Sequence, residues 1–254
     1  MGDKVTFITN EAENNLRDIL NMELAQATSA TILVAFTTAG GLSKILENLE
    51  NILVGGGQVT FMTGLYQAVT EPEALRLLVE SMNKFKHDDG SLDARISLEQ
   101  QFHSKLYLIK SQPLDKATII VGSSNLTSGG LRSGGETSIM IQTRYASPFV
   151  SRYEDMLDKR LQLSVPLTAA LIDRYEKSQD YLRKQAVLHP GERSGNDNVV
   201  LDKVLGKHSV HQDCDDAEDD GTWQNELRER RRKYARQQYQ RAKEWKKKNG
   251  EKEK

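Results

Sequence analysis

Over the first half of the chain, short apolar runs of strand length alternate with segments whose apolar residues recur every three or four positions. The run ATILVAFT at 30–37 is typical of a buried strand, and the stripe at Leu42, Ile45, Leu46 and Leu49 is typical of a helix. Strands are predicted at 30–37, 58–64, 95–98, 102–109, 117–122 and 137–142, and helices at 16–24, 42–53, 71–85, 148–161 and 167–187. Because strands and helices alternate first and strands then run in series, the sequence predicts an α/β fold with a mixed β-sheet flanked by helices.

Composition limits the class of protein. The chain has 254 residues, which is long enough to bury one sizeable core. Of these residues, 37% are hydrophobic and 28% are charged. No apolar run approaches the roughly 18 residues that a membrane-spanning helix needs, and the first residues lack the pattern of a secretory signal. The single cysteine, Cys214, excludes an internal disulfide and fits a reducing compartment. The sequence therefore predicts a globular protein of the cytoplasm.

Charge is distributed unevenly along a chain whose net charge is only −1. Residues 213–220 carry six acidic side chains, and residues 222–254 carry thirteen Lys or Arg against five Glu. The sequence predicts a folded domain over 1–187, a polar, acidic linker over 188–221, and a basic tail over 222–254 that is helical or disordered.

Cations in this tail are interleaved with aromatic residues, a composition that suits contacts with phosphates and bases. A solvated helix and a contact with a partner protein are the alternatives. The candidate nucleic-acid-binding residues are Arg231, Arg232, Lys233, Tyr234, Lys246 and Lys247.

Two polar residues interrupt the predicted strand FHSKLYLI at 102–109. His103 and Lys105 are two positions apart, so in a strand they point to the same face. An imidazole beside an ammonium group is stable when an anion lies between them or when the histidine stays neutral. A neutral imidazole is a nucleophile, and the lysine can stabilise charge on an oxyanion.

The next predicted strand ends in IIVGSSN, and it supplies further polar groups. Gly122 permits the close approach of a backbone or a ligand. Ser123 and Asn125 offer a hydroxyl and an amide donor for phosphate oxygens, and a carboxylate such as Glu136, at the start of the following strand, can orient a histidine. Together these groups are the set needed for covalent phosphoryl transfer without a metal.

The pattern His103-x-Lys105, followed by Asp115, six residues and Gly122-Ser123-x-Asn125, resembles the HKD signature of the phospholipase D superfamily. That signature has four residues between lysine and aspartate, whereas this chain has nine, which predicts a lengthened hairpin turn. The segments AFTTAGGL at 35–42 and GSSNLTSGGL at 122–131 resemble the endonuclease branch, which includes restriction enzymes and helicase-linked defence nucleases.

The resemblance implies a phospholipase D-like nuclease domain that needs two such motifs for each active site. Because this chain has one HxK, the implied enzyme is a homodimer with a composite site, and it hydrolyses DNA through a phosphohistidine without metal or cofactor. The implied catalytic residues are His103, Lys105, Asn125 and Glu136, with Lys105, Ser123 and Asn125 binding phosphate and Glu136 backing the histidine. A helicase or other defence subunit is an implied partner, and restriction or phage defence is the implied role.

Three alternatives compete with this interpretation. The same chemistry could act on a phospholipid or another phosphodiester, or the site could serve a non-enzymatic nucleic-acid-binding subunit. The spacing His208-x-x-His211-x-x-Cys214 is similar to that of zinc ligands, but it lacks a fourth ligand in sequence and lies beside the acidic run. No metal site is therefore predicted.

Overall fold

The computed structural model describes residues 3–11, 13–86, 89–99, 101–132, 135–188 and 204. The predicted linker, apart from Leu188 and Val204, and the whole basic tail lie outside the described residues. This applies to all six candidate nucleic-acid-binding residues, Arg231, Arg232, Lys233, Tyr234, Lys246 and Lys247, and to His208, His211 and Cys214. Val204 is buried in the main core. The described residues belong to one compact unit, Met1–Val204.

Eight strands, seven α-helices and one 3₁₀-helix, Tyr66–Ala68, make up the described part of the chain. The strands are β1 Lys4–Ile8, β2 Ser29–Val34, β3 Gln58–Thr63, β4 Ser91–Ser97, β5 Lys105–Ser111, β6 Lys116–Gly122, β7 Ser138–Thr143 and β8 Ser164–Pro166. The helices are α1 Leu16–Leu24, α2 Ala39–Leu42, α3 Leu46–Val54, α4 Pro72–Lys84, α5 Ser128–Arg132, α6 Pro148–Leu161 and α7 Ala169–Leu188. None of the described helices combines the length and apolar content of a membrane span.

All eight strands form one sheet in the order β1-β7-β6-β5-β2-β3-β4-β8. Strands β2, β3 and β4 are parallel to one another, since helices α3 and α4 return the chain to the same end of the sheet before each next strand. The other strand pairs are antiparallel. The predicted mixed sheet flanked by helices is thereby confirmed. The edge strands β1 and β8 were not predicted, and the predicted helix at 42–53 is divided into α2 and α3.

Helices cover both faces of the sheet. The larger apolar cluster contains residues of α1, α3, α4 and α7, such as Leu16, Leu49, Leu75 and Tyr175. The smaller cluster lies on the opposite face, where α6 packs on strand residues such as Leu108. This layering is typical of α/β domains.

One edge of the sheet collects the segments that carry the sequence motifs. Strand β5 is antiparallel to both of its neighbours, and Lys105 at its start is paired with Val34 at the end of β2. On the other side, Leu106 is paired with Val121 near the end of β6. The segments after β2 and β6 therefore meet the residues that precede β5.

Candidate active site

His103 lies at this edge, in the connection that leads into β5. The strand begins at Lys105, three residues later than predicted, and the imidazole of His103 is exposed. The preceding residue, Phe102, is fully buried beneath the guanidinium of Arg160, whose central carbon lies 5.4 Å from the ring centroid. The ring of His103 meets the ring of Phe36 edge-on, with centroids 6.2 Å apart. Phe102 and Phe36 thus hold the histidine at the surface with its ring orientation restricted.

Lys105 is buried at the start of β5, and its side chain contacts the backbone of His103. Only 7% of its surface is exposed, and its Nζ donates a hydrogen bond to the backbone oxygen of His103 at 3.1 Å. Burial holds the pKa of Lys105 below its ordinary value, and the carboxylate of Glu136 partly offsets this effect. A weakly solvated ammonium group next to an imidazole is suited to binding an anion.

The turn after β6 places Ser123 and Asn125 at the same edge. A side chain at Gly122 would clash with the Ser138 hydroxyl and the Thr137 carbonyl, so glycine is required for β6 to meet the start of β7. The Ser123 hydroxyl accepts from the Thr137 backbone N–H at 3.1 Å. The Asn125 Oδ1 accepts from the backbone N–H of Phe36 at 3.1 Å, which orients the amide NH₂ as the donor toward a ligand.

Glu136 lies two residues before β7 and is half-buried. Its charge raises the pKa of Lys105 and adds to the effect of burial in raising the pKa of Tyr107. Among the described residues, no hydrogen bond joins Glu136 to His103. The charge of Glu136 therefore acts on the lysine, and its role in orienting the histidine stays a prediction.

Two residues of the site were not singled out from the sequence. Tyr107 is fully buried, and its hydroxyl donates to the backbone oxygen of Ser124 at 3.0 Å, which fixes the turn that carries Asn125. It lies two positions after Lys105 on the same strand face, so continued alternation from His103 is a signal that could have found it. Phe36 lies inside the quoted segment AFTTAGGL, but nothing in that segment indicates a contact with His103.

The segment 35–42 is locked to the turn after β6. Leu126 donates its N–H to the Phe36 carbonyl at 3.2 Å and accepts from the Thr38 N–H at 3.1 Å. A side chain at Gly41 would clash with the Leu126 backbone. The two glycine-containing segments noted in the sequence are therefore two halves of one backbone support for Asn125.

A short, strained 3₁₀-helix, Tyr66–Ala68, follows β3. Gln67 and Ala68 have positive φ angles of 56° and 54°. Residues other than glycine rarely adopt such angles. Gln179 of α7 donates to the Ala68 carbonyl at 2.7 Å, and Tyr175 donates to the Thr70 carbonyl at 2.6 Å. Helix α7 thus holds the strained conformation in place, a role that the sequence did not indicate.

Asp115 lies away from this site. It occupies the β5–β6 turn with a φ of 46°, at the opposite end of the hairpin from His103, which is roughly 20 Å for strands of this length. The Arg144 guanidinium, whose Nε donates to the Asp115 carboxylate at 2.7 Å, holds the pKa of that carboxyl below its ordinary value. Asp115 therefore has a structural role: it stabilises the lengthened β5–β6 turn that the sequence predicted.

Asp115→Asn is expected to leave phosphodiester cleavage within roughly two-fold of the wild type, because the charge is remote and asparagine tolerates positive φ. Because the pKa of Asp115 is depressed, its stabilising contribution is present above the ordinary pKa of 3.8 and is lost as the pH falls. The variant should therefore lose a small part of its stability at neutral pH and none at pH 2. Initial rates and thermal unfolding at both pH values check this, and a loss of activity above 100-fold would return Asp115 to the site.

Within the described ranges, no group of three or more His, Cys, Asp or Glu side chains could hold a metal ion. The candidate zinc ligands His208, His211 and Cys214 lie outside those ranges. The site edge itself offers one carboxylate, one imidazole and one ammonium group. These side chains suit an anion better than a cation.

A family model described as "Cardiolipin synthase, PLD-like domain" matches residues 20–161. No curated protein matches the sequence. The match contains every described element from the end of α1 to the end of α6, and with them His103, Lys105, Asn125 and Glu136.

Three solved structures of low sequence identity are similar to this one. Nuc of Salmonella typhimurium, a phospholipase D family member, is 14% identical with a TM-score of 0.49 over 65% of this chain and 97% of that chain. NucT from Helicobacter pylori is 12% identical, with a TM-score of 0.47 over 65% and 98% of the two chains. Phosphatidylserine synthase of Haemophilus influenzae is 13% identical, with a TM-score of 0.50 over 80% of this chain and 47% of that chain.

Proposed function

Because this chain belongs to the PLD-like domain family, within the phospholipase D superfamily, we propose that it is a phosphodiesterase that cleaves DNA through a phosphohistidine. The observation that carries the proposal is the pairing of an exposed His103 with a buried Lys105, whose ammonium group lies 3.1 Å from the histidine backbone. The turn with Asn125 lies at the same edge of the sheet. A nucleophile and donors for a phosphate are therefore adjacent.

In the first step, a neutral imidazole nitrogen of His103 attacks phosphorus, and the bond from phosphorus to the leaving oxygen breaks. The leaving oxygen needs a proton from a group on the far side of phosphorus, because attacking and leaving atoms lie in line. His103 cannot supply it while it forms the phosphorus–nitrogen bond. We assign this proton to His103 of a second copy, since the sequence has a single HxK.

In the second step, water attacks the phosphohistidine, and the now neutral imidazole of the second copy accepts a proton from that water. The phosphorus–nitrogen bond breaks and releases a phosphomonoester and His103. The net reaction consumes one water and one phosphodiester. The second imidazole serves as acid and then as base, so the site returns to its starting protonation state.

Lys105 and Asn125 stabilise the negative charge on the non-bridging phosphate oxygens through both steps. A composite site would hold two lysines, so the charge that a divalent metal neutralises in other nucleases is met here by ammonium groups and amide donors. The Ser123 hydroxyl is already oriented by Thr137 and would complete the phosphate contacts. Burial lowers the pKa of Lys105, and the negative charge of Glu136 partly offsets this effect.

DNA is the proposed substrate because residues 222–254 carry a net charge of +8 with interleaved aromatic residues. The placement of this tail as a nucleic-acid-binding element, a helicase-type partner, and a role in restriction or phage defence stay predictions from the sequence. A phospholipid phosphodiester is the second candidate substrate. It is favoured by the lipid enzyme named in the description of the matching family model.

Incubation of supercoiled plasmid and of phospholipid vesicles with the full chain in EDTA tests the proposal. Nicking or linearisation of the plasmid is expected, and it should be absent with His103→Ala. Head-group release from vesicles without plasmid cleavage would favour the lipid substrate. Neither activity, together with retained DNA binding, would favour a non-enzymatic binding subunit.

A further inference from the structure

The chain leaves the sheet after β3 next to the candidate active site, in a strained segment, residues 65–70, that we call the β3 turn. Strand β3 is parallel to β2 and β2 is antiparallel to β5, so β3 ends at the edge where β5 begins. Gly64, the first residue after β3, donates its N–H to the Ala35 carbonyl at 3.2 Å. A Cβ at Gly64 would lie 3.3 Å from the ring of Phe102. The β3 turn therefore begins beside the residue that precedes His103.

Two consecutive residues of the β3 turn, Gln67 and Ala68, have positive φ although neither is glycine. Glycine adopts these angles without steric cost, so the turn keeps this backbone only because its surroundings hold it. The side chain of Gln67 is exposed, and Val69 is 42% exposed. The held backbone therefore displays one amide and one apolar side chain at the surface. Backbone strain of this kind is concentrated at ligand-binding and catalytic sites.

Two buried side chains of α7 support the β3 turn. Gln179 donates to the Ala68 carbonyl at 2.7 Å and to the Thr70 carbonyl at 3.2 Å. Tyr175 donates to the same Thr70 carbonyl at 2.6 Å. The Thr70 hydroxyl donates to the Gly64 carbonyl at 2.7 Å, which joins the end of the turn to its start. Since Tyr175 and Gln179 are buried and polar groups are costly to bury without hydrogen bonds, these contacts fix the turn on α7.

The β3 turn is also joined to the segment that supports Asn125. Glu71, directly after the turn, donates its backbone N–H to the Thr37 carbonyl at 3.0 Å, and its carboxylate accepts from the Ala39 N–H at 2.7 Å. Adjacent strands lie about 4.8 Å apart, so the end of β3 is roughly 10 Å, two strand spacings, from the start of β5. A nucleoside attached to a phosphate at His103 can span this distance.

We propose that the β3 turn contacts the nucleoside next to the cleaved phosphate, and that Tyr175 and Gln179 are positioning residues that hold the turn for this contact. The proposal rests on the proposed function, in which His103 attacks a phosphate of DNA. An amide has two donors and an acceptor oxygen, so Gln67 can contact the polar edge of a base or sugar as well as its own neighbours. Val69 adds apolar surface, and apolar surface with a few polar groups is typical of ligand sites. The turn thus selects phosphodiesters that carry a nucleoside over those that do not.

Cleavage of two substrates by the full chain in EDTA tests the proposal: a short DNA oligonucleotide, and methyl 4-nitrophenyl phosphate, which has no nucleoside. Gln67→Gly removes the side chain, and glycine keeps the backbone angle. The ratio of kcat/KM for the oligonucleotide to kcat/KM for the ester is expected to fall by roughly ten-fold, mainly because KM for the oligonucleotide rises. A variant that only damaged the fold would lower both values and leave the ratio unchanged.

Val69→Ser is expected to lower the same ratio by roughly three-fold, because apolar contact with the nucleoside is lost. Val54→Ser is the matched control: Val54 is 72% exposed at the end of α3, at the opposite end of β3 from the turn, and this variant should keep the wild-type ratio. Tyr175→Phe should lower the ratio by roughly three-fold by releasing the turn. Because it acts through the turn, it should lower the ratio no further in a chain that already carries Gln67→Gly and Val69→Ser.

An unchanged ratio in both Gln67→Gly and Val69→Ser would overturn the inference, as would a wild type that cleaves the ester and phospholipid vesicles but not the oligonucleotide. A wild type that cleaves none of the three would refute the proposed function instead. The β3 turn is then tested by equilibrium binding of the same oligonucleotide to the full chain. Gln67→Gly should weaken this binding by roughly ten-fold, and binding as tight as that of the wild type would overturn the inference.

Discussion

His103→Ala is expected to reduce phosphodiester cleavage by roughly 10³-fold or more, because the variant lacks the nucleophile and also the proton donor that each copy supplies to the other. The fold should be unaffected, since the imidazole is exposed and the neighbouring Phe102 anchors the backbone from the core. Initial rates on plasmid and on a small activated phosphodiester measure the loss. Thermal unfolding should give the same midpoint for variant and wild type, because surface substitutions change stability little. Activity within ten-fold of wild type would remove His103 from the mechanism.

Lys105→Met is expected to lower cleavage by about 10²- to 10³-fold while leaving stability unchanged or higher. Methionine has a similar length and no charge, so it fills the site of a buried ammonium group without the free-energy cost of desolvating it. The phosphate charge would lose its nearest cation. Rates measured on the same preparations should therefore fall while unfolding midpoints stay the same or rise.

The pH dependence of this stability difference follows from the lowered pKa of Lys105, which burial causes. Between that lowered value and the ordinary 10.5, the unfolded wild type binds more protons than the folded wild type, so wild-type stability rises with pH. The advantage of Lys105→Met should be full at neutral pH and should shrink as the pH rises through this window. An advantage that grows with pH would contradict the burial of a charged lysine.

Lys110→Met is the matched control on the same strand. Lys110 points to the other face of the sheet, where its Nζ contacts the Glu154 carboxylate at 2.6 Å. Its loss should slightly lower stability through the broken ion pair and leave cleavage unchanged. If both lysine variants lose activity equally, the effect of Lys105 is one of folding and not of phosphate binding.

Much of the fold could be predicted from the sequence because its strands and helices follow simple apolar patterns. Strand β5 begins only at Lys105, so His103 lies in the connection before it, and the shared face of His103 and Lys105 stays a prediction. Strand β1 was missed because it is short and mostly exposed, and β8 because it has three residues and ends in Pro166. Short edge strands form because they pair with a neighbouring strand, and the local apolar pattern of the sequence does not indicate this pairing.

The candidate site was predictable in its residue types and less so in its contacts. The hydrogen bond from the Phe36 backbone to Asn125 joins positions 89 residues apart, and the one from Tyr175 to the Thr70 carbonyl joins positions 105 apart. No spacing rule links such positions in a single sequence. The predicted contact of Glu136 with His103 was likewise a long-range inference and stays a prediction, while the charge of Glu136 acts on the pKa of Lys105.

Mixing wild-type and His103→Ala chains in equal amounts, with complete subunit exchange verified by native mass spectrometry, tests the shared site most directly. If two copies supply one imidazole each to a single phosphorus, only dimers with two wild-type chains are fully active, and activity per chain falls to about one quarter of the wild-type value. If each chain carries an independent site, the same mixture keeps about one half. A value near one quarter is the result predicted here, and a value of one half would contradict it.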